Sequence, residues 1–171
     1  MRKAVFFDRD GVVNKRIVGG YVTRWEEFEW LPGIIETLRD VKKLGYLTII
    51  ITNQRGVGIK KMSPADLEQI HIMMQNELGT DARFDDIISC TDATNESLRR
   101  KPSPEMLFEA ARKYDIDLPQ SWMIGDSPSD IEAGIRAGTK TAFLKNDHEQ
   151  APPDATIVLN HVHDIIAHLR P

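Results

Sequence analysis

Short apolar runs of strand length recur along this chain with helical patterns between them, and that alternation restricts the fold more than any other feature of the sequence. Ala4–Phe7 is a brief apolar run that ends in acid. Residues 32–44 then place Ile34, Ile35, Leu38, Val41 and Leu44 at helical spacing, with Gly45 as the stop. Residues 47–51 form the β-branched kind of run found in a strand covered on both faces. Ser63 and Pro64 open the next helix, as N-cap and first position, and Gly79 closes it after Leu78. Strands over 87–90, 122–125, 141–144 and 156–159 complete the series, with helices over 103–114, 128–137 and 161–169. Such an order predicts an α/β fold, a three-layer Rossmann-like parallel sheet with helices on both faces. At 171 residues the chain is too short for two comfortable domains, so 1–171 reads as one. Residues 15–30 fit no strand–helix unit and read as a loop or small β-flap, and no insert is large enough for a cap domain.

Composition narrows the function by exclusion. The formal charge is 22 − 26 = −4, without a basic stripe, which argues against nucleic acid or an acidic membrane as partner. Cys90 is the single cysteine, so no intramolecular disulfide is possible and a reducing compartment fits. The opening MRKAVFFDRDG does not read as a signal peptide, and no apolar stretch approaches the roughly 20 residues of a membrane helix. The expectation is a cytoplasmic protein.

Chemistry gathers where the strands end. Asp8 and Asp10 follow the first strand, Thr52 and Asn53 the second, and Asp126 the fourth, while Arg100 and Lys101 come a short way past the third. Ligands of open parallel sheets bind outside the carboxyl ends of the strands, so these groups can meet in one crevice. Asp8 and Asp10, separated by one residue, point to the same side if strand geometry persists, and their repulsion favours one ionised nucleophile and one acid–base group. With Asp126 as a third carboxylate, the crowd calls for a hard divalent cation such as Mg²⁺. Lys101 and Thr52 would then hold phosphoryl oxygens.

The segments FFDRDGVVN, ITNQRG, RRKPSPEM and GDSPSD, spread over roughly residues 3 to 145, resemble the haloacid dehalogenase superfamily of aspartate-nucleophile phosphatases. Asn14, the following GGYV and RKPSPEM are similar to the subgroup of heptose-bisphosphate and histidinol phosphatases. The resemblance implies Asp8 as nucleophile, Asp10 as general acid and then base, and Mg²⁺ on the Asp8 carboxylate, the Asp10 carbonyl and Asp126. It implies Thr52 and Lys101 around the phosphoryl group, and substrate contacts from Gly20, Tyr21, Asn53, Gln54, Arg55, Arg100 and Ser127. One departure stands out: the subgroup's zinc loop of cysteines and a histidine is replaced by CTDATNESLRRKP, with Cys90 alone, so no zinc is expected. Arg55 also stands where a heptose-bisphosphate phosphatase of the subgroup has a small polar residue.

Other polar and aromatic residues have plainer readings. Asp126 also suits a helix N-cap, and Asp130, in the first turn of that helix, reads as structural. Arg99, Lys60 and Lys61 read as solvated charge, Arg55 as surface charge close enough to the site to touch a second anion, and Arg100, with Arg16 or Arg24, as further cations for that anion. Trp25, Phe28 and Trp30 read as packing of the flap, and His161, His163 and His168 as residues outside the site. The expected partner is a small phosphorylated molecule, led by a sugar bisphosphate, with the chain a monomer or weak homo-oligomer. Histidinol phosphate and a 3′-phosphorylated polynucleotide are the alternative substrates. A phosphosugar mutase and a non-catalytic binding protein are the remaining classes.

Overall fold

The computed structural model describes residues 1–170. Six parallel strands form one sheet: β1 (Ala4–Phe7), β2 (Leu47–Asn53), β3 (Asp86–Cys90), β4 (Trp122–Gly125), β5 (Lys140–Leu144) and β6 (Ile157–Leu159), in the order β3-β2-β1-β4-β5-β6. The α-helices are α1 (Ile34–Lys43), the single turn α2 (Arg55–Gly58), α3 (Pro64–Ala82), α4 (Glu105–Tyr114) and α5 (Pro128–Ala137). Side chains alternate along a strand, so β1 feeds two cores. Val5 and Phe7 pack with Ile50 and Ile124 beneath α1 and α3, while Ala4 and Phe6 pack with Ile49, Ile51 and Met123 beneath α4 and α5. Each fully buried Ile or Phe contributes about 1.5–3 kcal/mol, which explains why β1 and β4, at the middle of the sheet, carry no polar side chain.

The expected alternation is present, and its boundaries shift for local reasons. The first helix starts at Ile34 because Gly33 adopts φ 83°, ψ −5°, a left-handed conformation that cannot begin a right-handed helix. Strand β2 continues through Thr52 to Asn53, which pair with Ser89 and Cys90 of β3. Gly79, at φ 66°, interrupts α3 as expected, but a further turn carries it to Ala82. The closing helix is 3-10, over Val162–His168. Residues 15–30 contain no strand, only a 3-10 turn at Trp25–Glu27. Their aromatics stack on one another, Trp25 on Phe28 at 4.8 Å and Phe28 edge-on to Trp30 at 4.9 Å, and pack against the domain.

Strand order reverses between β1 and β4. Side chains just beyond these two carboxyl ends flank the natural crevice of a doubly wound sheet.

Candidate active site

Asp8 remains in the ladder, its N–H donating to Ile124 O at 2.9 Å, and the chain then turns sharply about the Arg9 carbonyl, which accepts from the N–H groups of Val12, Val13 and Asn14. The turn needs Gly11, at φ 98°, because a Cβ there would lie 1.9 Å from Asp126 Oδ2. Glycine thus lets the β1 turn close against the end of β4.

Lys101 forms the centre. Its ammonium donates to Asp8 Oδ1 and Ile51 O, each at 2.8 Å, and pairs with Asp130 Oδ1 at 2.6 Å, which occupies all three donors inside the protein. The flanking loop is latched by Asn53, whose Oδ1 accepts from Lys101 N at 3.0 Å and whose Nδ2 donates to Lys101 O at 3.1 Å. Burial works against the ammonium, but Asp130 and Asp8 outweigh it and raise its pKa above the usual lysine value.

Asp8, Asp126 and Asp130 place carboxylate oxygens within 4.8 Å of one another. Asp130 is already committed: one oxygen faces Lys101 and the other accepts from Asp126 N, Ser127 N and Ser127 Oγ. These contacts fit the structural reading of Asp130 and also tie Lys101 in place. The N-cap of α5 is Ser127, not Asp126, which leaves the Asp126 carboxylate facing the cleft with Arg16 Nη1 at 3.6 Å. Burial first, and then Asp130, raise the pKa of Asp8 well above the ordinary carboxylate value against the pull of Lys101. The same two causes push Asp126 up to about 7. Buried carboxylates with raised pKa values and free oxygens fit a hard cation, which Asp8 and Asp126 would hold.

Asp10 belongs to a different environment, contrary to the expectation that Asp8 and Asp10 repel each other. Burial alone would raise its pKa, but Arg9, with hydrogen bonds from Asn14 and Gln54, holds it below the ordinary value. Arg9 Nη2 donates to both Asp10 oxygens at 3.0 Å, and Asn14 Nδ2 and Gln54 Nε2 donate at 2.9 Å. The crowded carboxylates are therefore Asp8, Asp126 and Asp130, while Asp10 is individually neutralised.

These groups open onto a cleft of about 600 Å³. Every side chain singled out from the sequence as catalytic, substrate-contacting or metal-binding lines it except Thr52. Thr52 is fully buried, with its hydroxyl accepting from Gln54 Nε2 at 2.9 Å. Arg16, Arg55 and Arg100 reach the cleft, whereas Arg24 pairs with Glu27 and Arg99 with Glu109 outside it. Glu149 also lines the cleft, on a loop fixed by Asn146, which donates to Asp126 O at 2.9 Å and accepts from Glu149 N. Sequence reading passed over Arg9, His71, Asn146 and Glu149. A charged residue between two strand-end aspartates was a usable signal for Arg9, whereas His71 on α3 carries none.

Among the described residues no helix is long and apolar enough to cross a membrane. A family model for haloacid dehalogenase-like hydrolases matches residues 12–144. A D-glycero-β-D-manno-heptose-1,7-bisphosphate 7-phosphatase of Helicobacter pylori (strain ATCC 700392 / 26695) is 41% identical over 145 residues, 83% of either chain. A D-glycero-α-D-manno-heptose-1,7-bisphosphate 7-phosphatase of Burkholderia mallei (strain ATCC 23344) is 36% identical over 178 residues, 98% of this chain and 93% of that one. A crystal structure of a D,D-heptose 1,7-bisphosphate phosphatase from B. bronchiseptica, complexed with magnesium and phosphate, superposes with a TM-score of 0.88 at 27% identity, covering 97% of both chains. With its β1 and β4 carboxylates gathered around Lys101 at the sheet's reversal point, the chain belongs to the haloacid dehalogenase-like hydrolase family, as one of its phosphatases.

Proposed function

We propose that this chain is a sugar-bisphosphate phosphatase that removes the 7-phosphate of D-glycero-D-manno-heptose 1,7-bisphosphate through an aspartyl-phosphate on Asp8. The observation that carries this reading is the cleft itself, lined by Asp8, Asp126 and Lys101 together with Arg16, Arg55 and Arg100. The carboxylates and Lys101 suit a transferring phosphoryl group, and Arg55 and Arg100 suit a second phosphate, which a guanidinium can grip with two parallel hydrogen bonds.

The free oxygen of Asp8 attacks phosphorus while Lys101 offsets the charge gathering on the phosphoryl oxygens. Asp10 hands its proton to the departing sugar oxygen. The charge that a phosphoester brings opposes Arg9 and favours protonation of Asp10 beforehand. In the second half Asp10, again a carboxylate, takes a proton from water as that water attacks phosphorus, and Asp8 is released. Thr52 reaches the phosphoryl oxygens when the Gln54 amide turns from it towards substrate, and Gly20, Tyr21, Asn53 and Ser127 bound the sugar. Asp8, the Asp10 carbonyl and Asp126 would hold Mg²⁺, which would supply charge neutralisation at the phosphoryl group. Zinc has no part in this reading: Cys90 is buried, with Ser97 Oγ at 3.7 Å. We take residues 1–171 as one domain acting in the cytoplasm as a monomer or weak homo-oligomer.

The test of substrate is a side-by-side assay of both anomers of the heptose bisphosphate, sugar monophosphates, histidinol phosphate and a 3′-phosphorylated oligonucleotide. The bisphosphate is expected to show the highest kcat/KM, and Arg100→Ala to lower that value about 10- to 100-fold while sparing monophosphates. A clear win for histidinol phosphate or the oligonucleotide would remove the heptose assignment.

The carboxylate cluster also fixes the sign of a pH effect in protein stripped of metal. The Asp126 pKa rises from 3.8 to about 7 on folding, so folded protein binds more protons than unfolded across that window and stability falls as pH rises through it. Asp10, with its lowered pKa, acts in the opposite sense below that window. His71, lowered from 6.5 to about 3, also acts in the opposite sense up to about pH 6.5, so the effect of the cluster is read above that pH. With chelator present, the melting temperature is expected to be higher at pH 6.5 than at pH 8, and added Mg²⁺ to raise it more at pH 8. Equal Mg²⁺ shifts at the two pH values would contradict a cation seated on this cluster.

A further inference from the structure

Behind Asp10 runs a row of polar side chains that the reaction scheme leaves unused. Arg9 lies between the two aspartates in sequence, yet its side chain turns inward and is fully buried. Its Nη2 grips Asp10, its Nη1 lies 3.3 Å from His71 Nε2, and its Nε has no partner. A guanidinium offers only donors, so His71 Nε2 must present its lone pair, and the ring proton sits on Nδ1. Burial, and then the neighbouring Arg9 charge, lower the His71 pKa to about 3, which keeps the ring neutral. The backbone behind it is rigid, because Leu67, Ile70 and Met74 anchor the same stretch of α3 in the core.

We infer that His71 is a positioning residue for proton transfer: it fixes the Arg9 guanidinium, which in turn fixes the Asp10 carboxylate. The inference rests on the reading of Asp10 as the acid and base of the reaction. Without an acceptor at Nε2, the buried guanidinium would have two nitrogens without a partner instead of one. His71 also lines a second cleft, of about 620 Å³, between α3 and the edge strand β3. Removing the ring would let water reach Arg9 from that side and compete with Asp10 for it. A small displacement of a proton-transfer group lowers kcat without weakening a substrate held by the arginines of the other cleft.

Three substitutions separate acceptor chemistry from packing. His71→Leu keeps the volume and loses the acceptor. His71→Asn places its amide near the position of Nδ1 and stops short of Arg9. His71→Gln extends an amide oxygen to about the position of Nε2. Leu and Asn are expected to lower kcat about 10- to 100-fold with KM changed less than about twofold, and Gln to recover most of the loss. In an Asp10→Asn background, itself slower by roughly 10²–10⁴-fold, His71→Leu is expected to add little, because the residue it serves is already gone. A wild-type kcat for His71→Leu, equal losses for Leu, Asn and Gln, or a full additional loss in the Asp10→Asn background would each overturn the inference. Should His71→Leu fail to fold, the Gln and Asn pair decides it. An Asp10→Asn enzyme with wild-type kcat would instead overturn the underlying reading of Asp10, whatever the His71 variants do.

Discussion

Asp8→Asn is expected to lower phosphate release by at least about 10⁴-fold and to leave chelated protein at least as stable as the wild type. An amide in place of the carboxylate keeps an oxygen that can accept from Lys101, now at 2.8 Å from Asp8 Oδ1, but has no ionised oxygen to attack phosphorus. The stability side follows from crowding. Burial, Asp130 and Asp126 already make the ionised form of Asp8 unfavourable, so removing that charge relieves repulsion without opening a cavity. Steady-state phosphate release and urea denaturation of the same preparation check both halves. A variant that lost activity by unfolding would say nothing of a nucleophile, and the denaturation curve distinguishes that case.

Lys101→Met is expected to damage fold and catalysis together. The substitution keeps the length of the side chain and removes the cation between Asp8 and Asp130, whose partner oxygens lie at 2.8 and 2.6 Å. Taking one partner from a buried ion pair costs about 3–5 kcal/mol, because the carboxylates left behind are neither solvated nor paired. Their escape is to take up protons, so the destabilisation is expected to be larger at pH 8 than at pH 5, as read by denaturation in chelator. Activity should fall roughly 10²–10³-fold or more from loss of a charge-stabilising donor alone. A methionine variant with wild-type stability at pH 8 would show that Asp8 and Asp130 do not depend on Lys101 for their charge.

What the sequence disclosed and what it hid differ in physical kind. The strands were legible because both faces of the sheet are covered, so Ala4–Phe7 and Trp122–Gly125 are buried at every position and end abruptly in acid. The site residues at those ends were legible for the same reason, since a parallel sheet delivers every carboxyl end to one edge. Helix starts were less so: the start of α1 depends on a left-handed Gly33 that no periodicity reveals. Contacts between distant segments were hidden altogether. Asp130 read as structural in the first turn of α5, and nothing local showed that its other oxygen meets Lys101. Arg16 and Arg24 looked equivalent within one loop, yet only Arg16 reaches the cleft, while Arg24 pairs with Glu27. Thr52 sat at a strand end like the catalytic groups, but Gln54 stands between it and the cleft. The row from His71 through Arg9 to Asp10 joins α3 to the β1 turn, residues 62 positions apart, with no sequence pattern linking them.

The central claim is that phosphorus becomes bonded to Asp8, and the most direct measurement is to trap that bond. An acyl phosphate is reduced by borohydride, whereas a free carboxylate is not. Acid-quenching the wild-type enzyme during turnover of its preferred substrate, followed by reduction and peptide mapping, is expected to find homoserine in place of Asp8 and an unchanged Asp10. Turnover that leaves Asp8 unmodified, or that marks a different residue, would contradict the account.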